Sequence, residues 1–123
     1  MEPKVLLDRV AELVDTKIVP VLSDFINIPN LSRNFDPEFF TNGLSEKANQ
    51  MYLEWAKAQG IKGLSRLELV EEKGRTPLLF GVVEASPGVD NTVLMYGHND
   101  KQPHLFSEWM DHLHPFVAKI EGD

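Results

Sequence analysis

The sequence lacks several features that would assign a class of protein at once. It contains no cysteine, which excludes disulfides, thiolate metal ligands and a cysteine nucleophile. Its longest apolar stretch, around residues 77–83, is far shorter than a membrane-spanning helix. Charged residues at positions 2, 4, 8 and 9 interrupt any apolar signal-peptide core. We therefore expect a soluble, cytoplasmic protein.

A concentration of basic charge is also missing. The 12 lysine and arginine residues are dispersed and are outnumbered by 19 acidic residues, which gives a formal net charge of −7. This balance argues against nucleic acid and anionic membranes as partners. The chain has neither the Gly-rich loop that binds phosphate nor the Gly-x-Ser-x-Gly turn that carries a catalytic serine.

The 123 residues are long enough for at most one domain. The composition, 42% hydrophobic and 25% charged residues, is ordinary for a globular protein. Apolar residues recur at helical spacing from about Pro3 to Ile26, where Pro20 removes an amide donor and predicts a kink or two consecutive helices. A second helix is predicted from about Ser45 to Gln59, with Gly60 ending it. Its predicted buried residues are Ala48, Met51, Tyr52, Trp55 and Ala58.

Three strands are predicted after the second helix, at residues 65–71, 78–85 and 92–97, with Gly- and Pro-containing turns between them. The first alternates in polarity, which is typical of a sheet edge, and the other two are nearly continuous in apolar character, which is typical of buried central strands. Strand character returns at residues 117–120. The predicted fold class is α/β, with two N-terminal helices packing on a mixed sheet of three or four strands.

The most informative motif follows the third predicted strand, where Val93–Tyr96 leads into Gly97-His98-Asn99-Asp100. Residues i and i+2 of extended backbone point to the same side, so His98 and Asp100 are predicted to face one site. Open α/β sheets place their binding crevices past the carboxyl ends of strands. An imidazole with a nearby carboxylate is a metal ligand with the partner that sets its tautomer. A His-x-Asp pair is also common in loops without metal, so this pattern alone leaves both interpretations open.

The remaining histidines are His104, His112 and His114. They have no strong zinc-binding spacing, so we expect loop residues without a ligand role. Trp109 and Phe116 are expected to anchor this loop by packing.

Several short signatures occur in a fixed order along the chain. The strongest is Tyr96-Gly97-His98-Asn99-Asp100-Lys101-Gln102-Pro103, followed by Trp109 and Pro115-Phe116. Upstream lie Phe25-Ile26-Asn27-Ile28-Pro29-Asn30, Phe35-Asp36-Pro37 and Arg75-Thr76-Pro77-Leu78-Leu79. Together they resemble the N-terminal part of a di-zinc metallopeptidase, of the family that includes carboxypeptidase G, the carnosine dipeptidases, aminoacylase and succinyl-diaminopimelate desuccinylase. The likeness spans most of the 123 residues.

The resemblance implies a zinc-dependent peptidase or amidohydrolase, with cobalt or manganese as alternative metals. His98 would be a terminal ligand of one of two zinc ions, and Asp100 would be the catalytic-site acid that orients its imidazole. In this family a metal-bridging water attacks an amide carbonyl and a glutamate acts as general base. The substrates would be small peptides or N-acyl amino acids. Asn99 stands where the family usually has an aromatic or aliphatic residue, and we expect this position to tolerate the change.

The resemblance also implies that much of the site is missing from this chain. The family's bridging aspartate, general-base glutamate, remaining ligands and lid and dimerisation domain all lie beyond the point equivalent to Asp123. Residues 1–123 would then be the N-terminal part of a metallopeptidase catalytic domain, inactive alone, from a parent that can form a homodimer. Two alternatives are a truncated, non-enzymatic relative or interaction module, and a self-contained α/β binding domain unrelated to peptidases.

Overall fold

The structure, a computed structural model, describes residues 2–122. These form two compact units, one of residues 2–29 and 104–122 and the other of residues 30–103. Within the described residues the chain combines α-helices with one small sheet, which is the α/β class that the sequence predicts.

The first unit begins with a helical run that is interrupted once. Helix α1 spans Pro3–Leu13, a π-helical turn spans Val14–Ile18, and helix α2 spans Val19–Ile26. The amide of Val19 donates to the Val14 carbonyl, five residues back. Pro20 has no amide hydrogen and its ring would clash with the carbonyl four residues earlier, so the backbone widens before it. The predicted interruption near Pro20 is confirmed.

The apolar stripe of this run is exposed. No residue of α1 or α2 is fully buried, and Leu7 keeps 68% of its surface exposed. The apolar positions of this run are therefore not fully buried within the described residues. Among residues 2–122, no helix has both the length and the apolar character that crossing a membrane requires.

The second unit is built on helix α3, Leu44–Ala58, which packs on both strands of the sheet. Gly60 follows with φ of +60°, a left-handed conformation that favours glycine and ends the helix as predicted. Ala48 is buried as predicted, whereas Ala58 is exposed. The other buried positions of α3 are Ser45, Asn49 and Leu53, and two of these three are polar.

The sheet of the second unit is a single hairpin. Strand β1, Leu64–Val70, pairs antiparallel with strand β2, Leu78–Val83, close to the predicted boundaries. A register shift between Leu64 and Arg66 marks a β-bulge. Within residues 2–122 this is a two-stranded antiparallel sheet, so the predicted mixed sheet of three or four strands is wrong for the described chain.

The third predicted strand, residues 92–97, is the clearest correction. These residues have no regular secondary structure, and Val93, Leu94, Met95 and Tyr96 are 83–90% exposed. An apolar run becomes a central strand only when strands on both sides accept its backbone hydrogen bonds. In the described chain β1 and β2 pair with each other, and neither pairs with residues 92–97.

The strand predicted at residues 117–120 is also absent. Residues 104–122 contain a short 3-10 turn, Phe106–Glu108, and one isolated antiparallel bridge between His114 and Val117. A single bridge closes a turn but does not extend into a ladder, so residues 118–120 remain irregular.

The contrast between two leucines tests this fold. Leu53 is 8% exposed on α3 and Leu94 is 90% exposed. We expect Leu53→Ala to lower the free energy of unfolding by about 2–5 kcal/mol, because it removes buried methyl groups and leaves a cavity. Leu94→Ala should change it by less than about 0.5 kcal/mol. Urea unfolding followed by circular dichroism measures both, and an equal loss for Leu94→Ala would show that residues 93–96 are buried in solution.

Candidate functional site

The structure brings His98 and Asp100 together. The Nδ1 atom of His98 lies 3.0 Å from Oδ1 of Asp100 and 3.1 Å from the Asp100 backbone oxygen. A backbone carbonyl oxygen can only accept a hydrogen bond, so Nδ1 makes these contacts as the N–H donor of the Nδ1–H tautomer. The two side chains therefore meet as the i, i+2 spacing predicts.

This contact decides which imidazole nitrogen is available. When Nδ1 is the donor, the neutral ring presents the lone pair of Nε2 to the surroundings. The His98 side chain is 62% exposed and that of Asp100 is 35% exposed, so the ring is accessible. The arrangement matches a metal-binding histidine whose second nitrogen is held by a carboxylate.

Hydrogen bonds of the neighbouring residues Asn99 and Lys101 hold the segment that carries His98 and Asp100. The Asn99 Nδ2 donates to Oδ1 of Asn49 at 3.1 Å, and Asn49 Nδ2 donates to the Ser45 carbonyl at 2.9 Å. Asn30 Nδ2 donates to the Asn99 carbonyl at 2.9 Å, and Lys101 Nζ donates to Oδ1 of Asn30 at 2.6 Å. We call these five residues the asparagine network.

Backbone hydrogen bonds reinforce the network next to Asp100. The amide of Lys101 donates to the Asn30 carbonyl at 2.9 Å, and the amide of Ser32 donates to the Lys101 carbonyl at 2.8 Å. These form an isolated parallel bridge between Leu31 and Lys101. The segment that carries His98 is thus attached to residues 30–32 by main chain and to α3 by side chains.

His98 and Asp100 border an open cleft of about 640 Å³ in the second unit. Aromatic side chains of Phe39, Tyr52 and Tyr96 also line it. Burial raises the pKa of the Tyr52 hydroxyl, so this group stays protonated at neutral pH. The cleft therefore combines aromatic surface with polar side chains and the carboxyl group of Asp100.

The described residues do not contain a complete metal centre. Within residues 2–122, no group of three or more His, Cys, Asp or Glu side chains is arranged to hold a metal ion. A structural or catalytic zinc takes about four ligands, at least three of them from protein. His98 fits the place of one ligand and Asp100 that of its orienting acid, which is less than one ion requires.

The other three histidines lie in the first unit and contact residues of the same unit. The rings of His104 and Phe106 are tilted by 56° with their centroids 4.0 Å apart, and the Nδ1 of His114 accepts a hydrogen bond from the Phe116 amide. His112 Nε2 lies 3.2 Å from a carboxylate oxygen of Glu121. The Trp109 indole donates to the His104 carbonyl at 2.8 Å, which ties this loop together.

The asparagine network is not predicted from the sequence, where Asn30, Asn49 and Lys101 carry no assigned role. Asn99 is expected there to tolerate change, whereas in the structure its amide has a specific partner. One signal was available, because Ser45 and Asn49 stand at i, i+4 on the helix face that also buries Ala48. Asparagine and serine are poor choices for a buried helix face unless they are hydrogen-bonded.

No protein-family model and no curated protein sequence matches this chain.

Lys101 gives the site a measurable pH dependence. Burial lowers the pKa of its ammonium group from the ordinary 10.5 to about 8. Between these two values the unfolded chain binds more protons than the folded chain, so the Lys101 contribution to stability rises with pH. We expect the difference in free energy of unfolding between wild type and Lys101→Met to move in favour of wild type from about pH 8 to 10.5.

Urea unfolding at a series of pH values measures this difference. Lys57→Met is the control, since the Lys57 side chain is 53% exposed and pairs with Glu54 on the surface of α3. A flat or opposite trend for Lys101→Met would contradict the burial of the ammonium group.

Proposed function

We propose that this chain is the N-terminal part of a metal-dependent hydrolase that cleaves a peptide or amide bond, of the dipeptidase or exopeptidase type. The observation that carries the proposal is the 3.0 Å contact from His98 Nδ1 to Asp100. It leaves an accessible imidazole with its Nε2 lone pair directed away from the carboxylate, which is the state that binds zinc. The order of short signatures along the chain supports the same family.

The roles of the two residues follow from their chemistry. His98 would hold one metal ion through Nε2, and Asp100 would keep the ring in that tautomer and make it a stronger ligand. Two zinc ions, when bound, would supply an activated water and stabilise charge on the carbonyl oxygen. Within residues 2–122 no group of three or more His, Cys, Asp or Glu side chains could hold a metal ion, so the proposal requires further ligands and a general base from a longer protein.

The finer points of the proposal rest on the same resemblance. The fold would be part of a zinc-exopeptidase catalytic domain, in which residues 93–96 become a paired strand and are covered. The 83–90% exposure of these four apolar residues supports this, because such a run is stable in water only when another surface covers it. The substrates would be small peptides or N-acyl amino acids, and the protein would act in the cytoplasm, with no nucleic acid or membrane partner.

The test uses the complete gene product that contains this chain. We expect it to bind zinc and to hydrolyse dipeptides or N-acyl amino acids, with loss of activity on chelation. His98→Ala should abolish activity by removing a ligand, and Asp100→Asn should lower zinc affinity roughly 10- to 100-fold, because the ring loses its ionised partner.

His112→Ala is the matched control, since His112 lies in the other unit against Glu121. Its activity and zinc content should equal those of wild type. Substantial hydrolysis by His98→Ala would contradict the proposed role of His98.

The exposed segment also favours a second candidate, a non-enzymatic interaction module. Val93, Leu94, Met95 and Tyr96 form a contiguous apolar surface without charge. Zinc titration of the complete product, together with an assay of partner capture, distinguishes the two candidates. A product that binds no zinc but captures a partner through residues 93–96 would favour the module, and Leu94→Lys should then weaken the capture.

A further inference from the structure

The segment that carries His98 has two faces with different surroundings. His98 and Asp100 pair with each other at the edge of the cleft. Asn99 and Lys101 instead contact Asn49 and Asn30. This alternation means that whatever fixes Asn99 and Lys101 also decides where His98 and Asp100 point.

The residues before His98 give it little support. Val93 to Tyr96 are 83–90% exposed and pair with no strand, and nothing lies within 4 Å of the position where a side chain at Gly97 would begin. On its C-terminal side, by contrast, the segment is held by the hydrogen bonds of Asn99 and Lys101. The orientation of His98 therefore depends on contacts made by the residues that follow it.

We propose that Asn99 and Asn49 are positioning residues for His98, acting through the Nδ2–Oδ1 hydrogen bond that joins the segment to helix α3. The bond spans 50 residues of sequence and lies between a half-buried and a buried side chain. Its use in catalysis rests on the proposed metal-dependent function. Its effect on the imidazole does not, because the His98–Asp100 contact is made by two residues of this chain.

Asn49 suits this role because its amide serves both neighbours at once. Its Oδ1 accepts from Asn99 and its Nδ2 donates to the Ser45 carbonyl one turn earlier on α3. The second bond fixes which way the amide faces, so an oxygen is presented to Asn99. Asn49 is only 3% exposed, and water therefore competes poorly for either bond.

The test reads the tautomer of His98 by nitrogen-15 NMR of the imidazole rings in the metal-free 123-residue chain at about pH 8, where histidine is mostly neutral. The His98→Gln spectrum assigns the signal among the four histidines. In wild type we expect the Nδ1–H form to dominate, because Asp100 accepts a hydrogen bond from that N–H group. In Asn99→Leu the His98–Asp100 contact loosens, and we expect the Nε2–H form, which free imidazole side chains prefer, to become the major one.

Two further variants separate positioning from folding. Asn91→Leu makes the same substitution at an exposed asparagine of the same unit and should leave the tautomer unchanged. Asn49→Leu/Asn99→Leu replaces both partners by apolar groups, so no buried amide is left unpaired and the unfolding midpoint should recover relative to Asn99→Leu. We expect the tautomer not to recover with it. Recovery of both together would assign the effect to folding and overturn the proposal.

An Nδ1–H form that still dominates in Asn99→Leu would also overturn it. Zinc affinity of the complete gene product gives an independent reading, with a loss of roughly 10- to 100-fold expected in Asn99→Leu. If the wild-type product binds no zinc while the tautomer responds as described, the proposed function fails and the positioning role stands. If zinc binds with equal affinity in both proteins and the tautomer is unchanged, the positioning role fails and the proposed function stands.

Discussion

The asparagine network is the constraint on which the candidate site depends. Asn30 and Asn49 are 2% and 3% exposed, and each would carry a large desolvation cost if its amide were left without partners. Asn30 meets this cost by bonding to Asn99 and Lys101, and Asn49 by bonding to Asn99 and the Ser45 carbonyl. Because a buried polar group has few alternative partners, such bonds specify one arrangement of the chain rather than a family of similar ones. The direction of His98 is a consequence of that specificity.

The segment that carries His98 is held by hydrogen bonds at its C-terminal end and exposed to solvent at its N-terminal end. Residues 99–101 are tied to the second unit by main-chain and side-chain hydrogen bonds, whereas residues 93–96 leave four apolar side chains in water. Strands β1 and β2 pair with each other and α3 packs on both, but neither strand pairs with residues 93–96. The contacts that fix the candidate site therefore involve other residues than the exposed apolar run.

The chemistry at the site centres on one histidine, His98, whose Nδ1 contacts the Asp100 carboxyl group. Asp100 sets the tautomer of His98, and neutral polar groups with Tyr52 surround the cleft on which it borders. The ammonium of Lys101 is only three residues from His98, but it donates to Asn30 on the other side of the segment. Lys101 therefore serves to hold the segment to Asn30.

Local pattern was enough to predict the helices and the β1–β2 hairpin, but not which other apolar runs form strands. Helical periodicity with Pro20 and Gly60 located the helices, turn residues located the β1–β2 hairpin, and the i, i+2 rule brought His98 to Asp100, because each depends on residues close in sequence. The exposure of residues 93–96 could not be predicted in this way, since apolar character shows that a run needs covering but not whether a partner is there. The contacts of Asn99 with Asn49 and of Lys101 with Asn30 join residues 50 and 71 positions apart. Only tertiary structure decides such pairs, because a buried amide is acceptable wherever the folded chain brings it a partner.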